Sequence, residues 1–513
     1  MPYIAKSDNK SENKSENKSG PLILAAAIIG SSMTFIDGTV VNVAAPKFQS
    51  AFHATVIDVQ WVIESYGIML SSLILVGGAL GDRFGRRLTF LSGVGIFAAA
   101  SAACGLAPTI HVLIIARSIQ GIGAALLVPG SLAIISASFD EQSRGPAIGT
   151  WSGATAITTA LGPVLGGALI DYASWRWAFF LNVPLAAAVI VIALRHVPES
   201  SSDQKGPLDW LGALLATASL AGVVTGLLET SRLSWRNTLV DAGLLGGAIF
   251  FILFWWVESR AVSPMVPISI FKSRAFLGAN LLTLFLYAAI GIFFFLFPLT
   301  LMQVYSYSAT AAGAATLPMI LLLFLLSRWS GGLVSRYGGK IPLTLGPLLI
   351  AAGFVLFAAL VGTGSYWRTF FPASLILGLG MAITVAPLTT VVMGSVDQNH
   401  AGSASGINNA VSRLAGVLAI AIFGILMVNT FSSHLERRLA RLSLPIGVVQ
   451  EIQSRKTQLA GIEMPKNLNT NAVPPLQSAI SESFLAGFRL VLMCCAGLAV
   501  GSSIFAWRFL SPD

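Results

Sequence analysis

Charge-poor apolar stretches of roughly 18 or more residues recur along almost the whole chain, each long enough to cross a hydrocarbon core of about 30 Å as a helix. The solvent for most of this sequence is therefore lipid. Of its 513 residues, 55% are hydrophobic and 10% charged, where a soluble domain carries about a quarter charged residues. No soluble domain of ordinary size fits between the apolar runs. Grouping those runs between charged and Pro/Gly punctuation predicts an all-α integral membrane protein with fourteen spanning helices: six in 20–196, an extra pair in 207–258 and six in 275–510, with a long loop at 432–483 before the last.

The net charge of +9 is spread singly or in threes at the ends of apolar segments, not gathered in one patch, so it encodes topology and gives no reason to expect a nucleic-acid partner. With the N-terminus inside, short inner segments hold 17 Lys and Arg against 5 in short outer loops. That bias places both termini in the cytoplasm and the protein in the cell's cytoplasmic membrane. The loop at 432–483 is then outside despite its own basic residues, as long loops translocate largely regardless of charge. Residues 1–19 contain the repeat SDNK-SENK-SENK, too polar to bury a core, and read as a disordered cytoplasmic tail. A cleaved leader fits less well, because the first apolar segment outruns the usual 7–15 residues and carries Asp37.

Cys104, Cys494 and Cys495 lie in apolar segments without metal-ligand spacing, which gives no disulfide framework and no metal site. Neither a nucleotide-binding P-loop nor a nucleophile–base arrangement occurs, so the sequence supports no enzyme activity and no cofactor.

One loop occurs twice. GGALGDRFGRR at 77–87 follows the second apolar segment, and SGGLVSRYGGK at 330–340 follows the second segment of the last six, with Arg83, Phe84 and Gly85 aligning with Arg336, Tyr337 and Gly338. Two related six-helix halves are the parallel repeat expected of a transporter.

With these motifs the chain resembles the major facilitator superfamily, and within it the fourteen-helix drug/proton antiporters of the QacA and EmrB type, over about 21–510. The resemblance implies two six-helix bundles with two inserted helices, working as a secondary active transporter that exports lipophilic small molecules against protons, possessing no cofactor and acting as a monomer among membrane lipids. Gly78, Gly81, Asp82, Arg83, Gly85, Arg86 and Arg87 match the family's signature loop and imply a conformational latch; a basic inner loop alone explains the arginines in part, but not an acid and three glycines at these spacings. The second copy has Ser335 in place of the acid and should latch weakly. MTFIDGTVVNVAAP at 33–46 resembles the first-helix motif with its acid at Asp37, and RSIQGIGAA at 117–125 the motif whose arginine is linked to proton coupling. Gly153, Gly162, Pro163, Gly166 and Gly167 resemble the antiporter signature, where close packing by small residues and flexible switching coincide. Trp175 and Trp177 read as an outer interface belt.

Ionisable residues inside spans are costly enough to be functional candidates. By the helical rise, Asp37, Glu64 and Arg117 lie about 13, 8 and 9 Å inside their helices. They thus share one outer layer and form the candidate proton-coupling group; for Glu64, snorkelling to the interface is an equal alternative. Arg413, with Asn408 and Asn409 a turn before it, either lines a substrate cavity or bonds backbone carbonyls in packing. Glu229 and Arg489 read as interfacial. Phe293, Phe294, Phe295 and Phe297 run round their helix, so some should face lipid. The rival functions are a dedicated exporter or proton-coupled importer of one metabolite or lipid, and a non-transporting receptor or scaffold.

Overall fold

The computed structural model describes residues 20–201, 209–233, 237–261, 264, 266, 268–362, 365–396, 401–442, 444–465 and 470–510; the predicted tail at 1–19 lies outside them. Among the described residues there is no strand, and fourteen helices are long and apolar enough to cross a membrane. They are α1 (Gly20–Phe52), α2 (Val56–Phe84), α3 (Arg86–Leu106), α4 (Ile110–Ser138), α5 (Glu141–Tyr172), α6 (Trp177–His196), α7 (Trp210–Leu233), α8 (Thr238–Glu258), α9 (Arg274–Leu299), α10 (Ala309–Leu326), α11 (Lys340–Leu360), α12 (Phe371–Gly394), α13 (Ala401–Leu439) and α14 (Val473–Phe509).

Polar residues at the helix starts set their boundaries. Thr55 and Asp58 form a capping box on α2, and Thr109, Asp140 and Ser273 each accept a backbone N–H in the first turn of α4, α5 and α9. Each such cap contributes about 1 kcal/mol. The two related loops share their turn: Gly85 and Gly338 end helices with φ of 117° and 72°, values at which a Cβ would clash. The preceding arginines also match, Arg83 lying 5.6 Å over the Phe84 ring and Arg336 5.3 Å over Tyr337.

Three expectations are corrected. The segment 432–483 is largely helical at both ends, because α13 runs on to Leu439 and α14 begins at Val473, leaving a shorter connection that carries the helix Ile446–Ser454. Trp175 is buried against Phe48, Phe52 and Phe179 and carries Arg176 over its ring at 4.3 Å, so only Trp177 is exposed enough for an interface belt. Of the four phenylalanines only Phe294 is partly exposed, while Phe293, Phe295 and Phe297 are buried. Phe293 and Phe297 stack on each other at 5.0 Å and meet Phe357 of α11, forming an aromatic core within the second set of helices instead of a lipid face.

Glycines set how closely the helices approach. A Cβ at Gly77 would strike the Ala125 carbonyl, which lets α2 lie backbone to backbone on α4. The same holds for Gly222, Gly226, Gly243 and Gly247, which join α7 to α8. Helix α7 in turn packs against both α2 and α13, with the Thr217 hydroxyl donating to Ser72 Oγ at 3.0 Å. Glu229 is not merely interfacial, since it accepts a hydrogen bond from Trp61 Nε1 of α2 at 3.2 Å. Arg489 donates to the Val361 carbonyl at 2.5 Å.

The first six helices meet the last six at the end opposite the Gly85 and Gly338 turns. There Asp171, at the end of α5, accepts the backbone N–H groups of Ala309 and Thr310 at 3.0 and 2.7 Å and the Thr310 hydroxyl at 2.6 Å. Gln303 Nε2 donates to Gln49 Oε1 at 2.6 Å, and Gln49 Nε2 donates to the Gln458 carbonyl at 3.2 Å. One turn deeper, Gln60 Nε2 donates to the Ile420 carbonyl of α13 at 3.1 Å.

Candidate functional site

Helices α1, α2, α4 and α6 bring together a charged group inside the first bundle. Asp37 and Arg117 are each 1% exposed, and Arg117 Nη1 lies 2.5 Å from Asp37 Oδ2. Arg117 Nη1 also donates to Gln120 Oε1 at 2.7 Å, and its Nε donates to the Val62 carbonyl at 3.2 Å. Gln120 Nε2 donates to the other carboxylate oxygen of Asp37 at 2.9 Å. The guanidinium lies 4.2 Å over the Tyr66 ring and 5.9 Å from that of Phe179. Asn182 Nδ2 reaches Asp37 weakly at 3.5 Å while donating to Ser101 Oγ at 3.0 Å, and Asn182 Oδ1 is buried without a partner. A buried ion pair of this kind is costly to break from one side, about 3–5 kcal/mol, because the remaining charge is left uncompensated.

Glu64 is not part of this group. Its carboxyl is fully buried and neither oxygen has a partner. Depth along a helix does not fix direction around it: residues 62 and 66, which meet Arg117, point away from residue 64 at about 100° per position. Glu64 instead shares the α2 face of Gln60 and Gly67, and both meet α13, where a Cβ at Gly67 would lie 2.7 Å from Val417 Cγ2. Snorkelling to an interface is excluded by its burial.

On α13 the three candidate cavity residues separate. Asn408 Nδ2 donates to Asn280 Oδ1 at 3.2 Å and Thr283 Oγ1 at 2.7 Å on α9, so it is a packing residue. Asn409 is exposed in mid-helix, and Arg413, one turn on, is partly exposed with no hydrogen bond or ion pair among the described residues. On α1, Gly38 is exposed with no atom within 4 Å of the position its Cβ would take.

At the loop of 77–87, Arg86 Nη2 pairs with Asp82 Oδ1 at 2.9 Å. Glu199, which sequence reasoning missed, accepts the backbone N–H groups of Arg87 and Leu88 at 3.0 and 3.1 Å, and Arg87 Nη1 donates to the Val197 carbonyl. Gly78 and Gly81 make ordinary contacts, the closest at 3.7 and 3.9 Å, so the tight approach belongs to Gly77. In the glycine run of α5, Cβ atoms at Gly162 and Gly166 would strike Thr39 and Val40 of α1, and one at Gly167 the Ala309 carbonyl of α10; Gly153 faces open space, and the Pro163 carbonyl lies against Gly313.

Residues 27–420 match the family model described as Major Facilitator Superfamily. The chain is 30% identical over 512 residues to the multidrug resistance protein Stp of Mycobacterium tuberculosis, with 96% of this chain and 92% of that protein covered. The same identity and coverage relate it to the tetracenomycin C resistance and export protein of Streptomyces glaucescens. It is 34% identical over 400 residues to the lincomycin resistance protein of Streptomyces lincolnensis, covering 78% and 82%. Among solved structures, a bacterial homologue of the human lysosomal transporter Spinster, inward-facing and unoccupied, superposes with a TM-score of 0.65 at 19% identity over 97% of this chain and 99% of that one. The inward-open xylose transporter XylE from E. coli gives 0.57 at 15% over 96% of each. These likenesses establish the fold.

Proposed function

Because this chain belongs to the major facilitator superfamily, we propose that it is a proton-coupled antiporter that exports lipophilic drug-like molecules by alternating access. The observation that carries the proposal is the buried Asp37–Arg117 pair at 2.5 Å. Such a pair has two states: a carboxylate held by the guanidinium, and a protonated acid that releases it. Gln120 steadies the first state, and a protonated Asp37 would bring an O–H donor into a shell with one unpartnered acceptor, Asn182 Oδ1. Glu64, buried on the α2 face toward α13, is a second protonation site at the seam between the bundles. Export is supported by the resistance proteins that resemble the chain along most of its length.

In this reading residues 20–196 and 275–510 are the two moving bundles and 207–258 the inserted pair. The Lys and Arg bias puts both termini in the cytoplasm of a cytoplasmic-membrane protein, which makes the Gly85 and Gly338 turns internal and the Asp171 end external. Asp82, Arg86 and Glu199 then form a latch on the cytoplasmic side.

Everted vesicles with an imposed pH gradient test the proposal. The wild type is expected to accumulate a lipophilic dye only when the gradient is present, and Asp37→Asn to lose accumulation at matched expression. Unchanged accumulation and pH dependence in Asp37→Asn would sink the coupling assignment.

A further inference from the structure

Charge inside the two bundles is unevenly compensated. Asp37, an acid deep in the first bundle, is already neutralised by Arg117, and both are buried at 1% exposure. Glu64 is fully buried toward the α13 seam, without a donor to hold a negative charge. The second bundle is poor in acids that could balance a cation: from 275 to 435 the sequence contains a single one, Asp397, which lies outside the described residues. Arg413 is the exception to this neutrality. It stands in mid-α13 on the same face as exposed Asn409, partly exposed and without a hydrogen bond or ion pair among the described residues.

We propose that Arg413 is the counter-charge for an acidic group on the substrate, and that this transporter selects lipophilic anions over lipophilic cations. This rests on the export reading above and names its substrate class. A guanidinium with five donors offers a carboxylate two parallel hydrogen bonds, a geometry an ammonium cannot supply. Among apolar membrane-spanning helices its field is weakly screened, so it attracts an anion and repels a cation over several ångströms. Asn409, one turn before it, adds a polar neighbour on the same face. Unlike the residues of the Asp37–Arg117 pair, this cation has no hydrogen-bond or ion-pair partner among the described residues that a substrate would have to displace.

Equilibrium binding to the purified, detergent-solubilised full chain tests the proposal apart from transport. The probes share one fluorescent body: pyrenebutyrate, its carboxamide and pyrenebutylamine. The wild type is expected to bind the carboxylate at least about tenfold more tightly than the amide, and the amine most weakly, which is a difference of about 1.4 kcal/mol or more. Arg413→Gln should reduce the carboxylate-to-amide ratio to about one, and Arg413→Lys should retain part of it. A wild-type preference for the amine, or a ratio unmoved by Arg413→Gln, would overturn the assignment. Anion preference in binding without gradient-driven uptake of any probe would count against the export reading and leave the Arg413 assignment standing.

Discussion

Asp37 and Arg117 are 80 positions apart, and their meeting follows from residue types alone: an acid and a base inside apolar spans at similar depths have strong reason to pair. Their polar shell was not legible. Gln120 and Asn182 are ordinary amides, and nothing in the sequence marks which amide turns toward a carboxylate. Glu64 shows the opposite limit, since depth was readable but azimuth depended on how α2 sits between α4 and α13. The shell makes a prediction. Gln120 Nε2 donates to Asp37 Oδ1 at 2.9 Å and its Oε1 accepts from Arg117 Nη1 at 2.7 Å, so Gln120→Leu removes the amide that bridges the pair. Losing a hydrogen bond to a charged group costs about 1.5–3 kcal/mol, so gradient-driven uptake by Gln120→Leu should fall by at least about tenfold at matched expression. Vesicle uptake by Gln120→Leu equal to that of the wild type would contradict the bridging role.

Helix number, order and the repeated turn were readable because each span declares itself by length and each turn by its glycine. The ends of α13 and α14 were not, because amphipathic helix that leaves the membrane carries the charges that otherwise mark a loop. Trp175 was misplaced for a related reason, as an aromatic near a helix end fits a lipid interface or a buried cluster equally well. The latch loop gives this scale its test. Glu199 accepts two backbone N–H groups at the start of α3, where a negative charge is also favoured by the helix dipole. Glu199→Gln keeps the shape and removes the charge. It should destabilise the loop by about 1 kcal/mol and, with Asp82→Asn, impair transport more than Ser335→Ala does, because the second loop has no acid. Equal transport by all three variants at matched expression would refute an electrostatic latch.

At the scale of the whole molecule, the two bundles are joined by contacts of two kinds, and alternating access predicts that they behave differently. The Asp171 carboxylate caps the start of α10 through three hydrogen bonds, and the glycines at 167 and 313 let α5 and α10 approach without side chains between them. A contact that links one bundle to the other at one end of the molecule must part for that end to open. Helix α7 also touches both bundles, yet among the described residues its hydrogen bonds to a bundle run to α2, between Thr217 and Ser72 and between Glu229 and Trp61. It should therefore travel with the first bundle while α13 slides past it. In a background with Cys104, Cys494 and Cys495 replaced, joining Asp171→Cys to Thr310→Cys with a short thiol-reactive linker should stop gradient-driven uptake and release it on reduction. Joining Ser72→Cys to Thr217→Cys, whose native oxygens are 3.0 Å apart, should leave most uptake intact. If the α2–α7 bridge arrests transport as completely as the α5–α10 bridge, α7 is a moving part between the bundles, and its assignment to the first one is wrong.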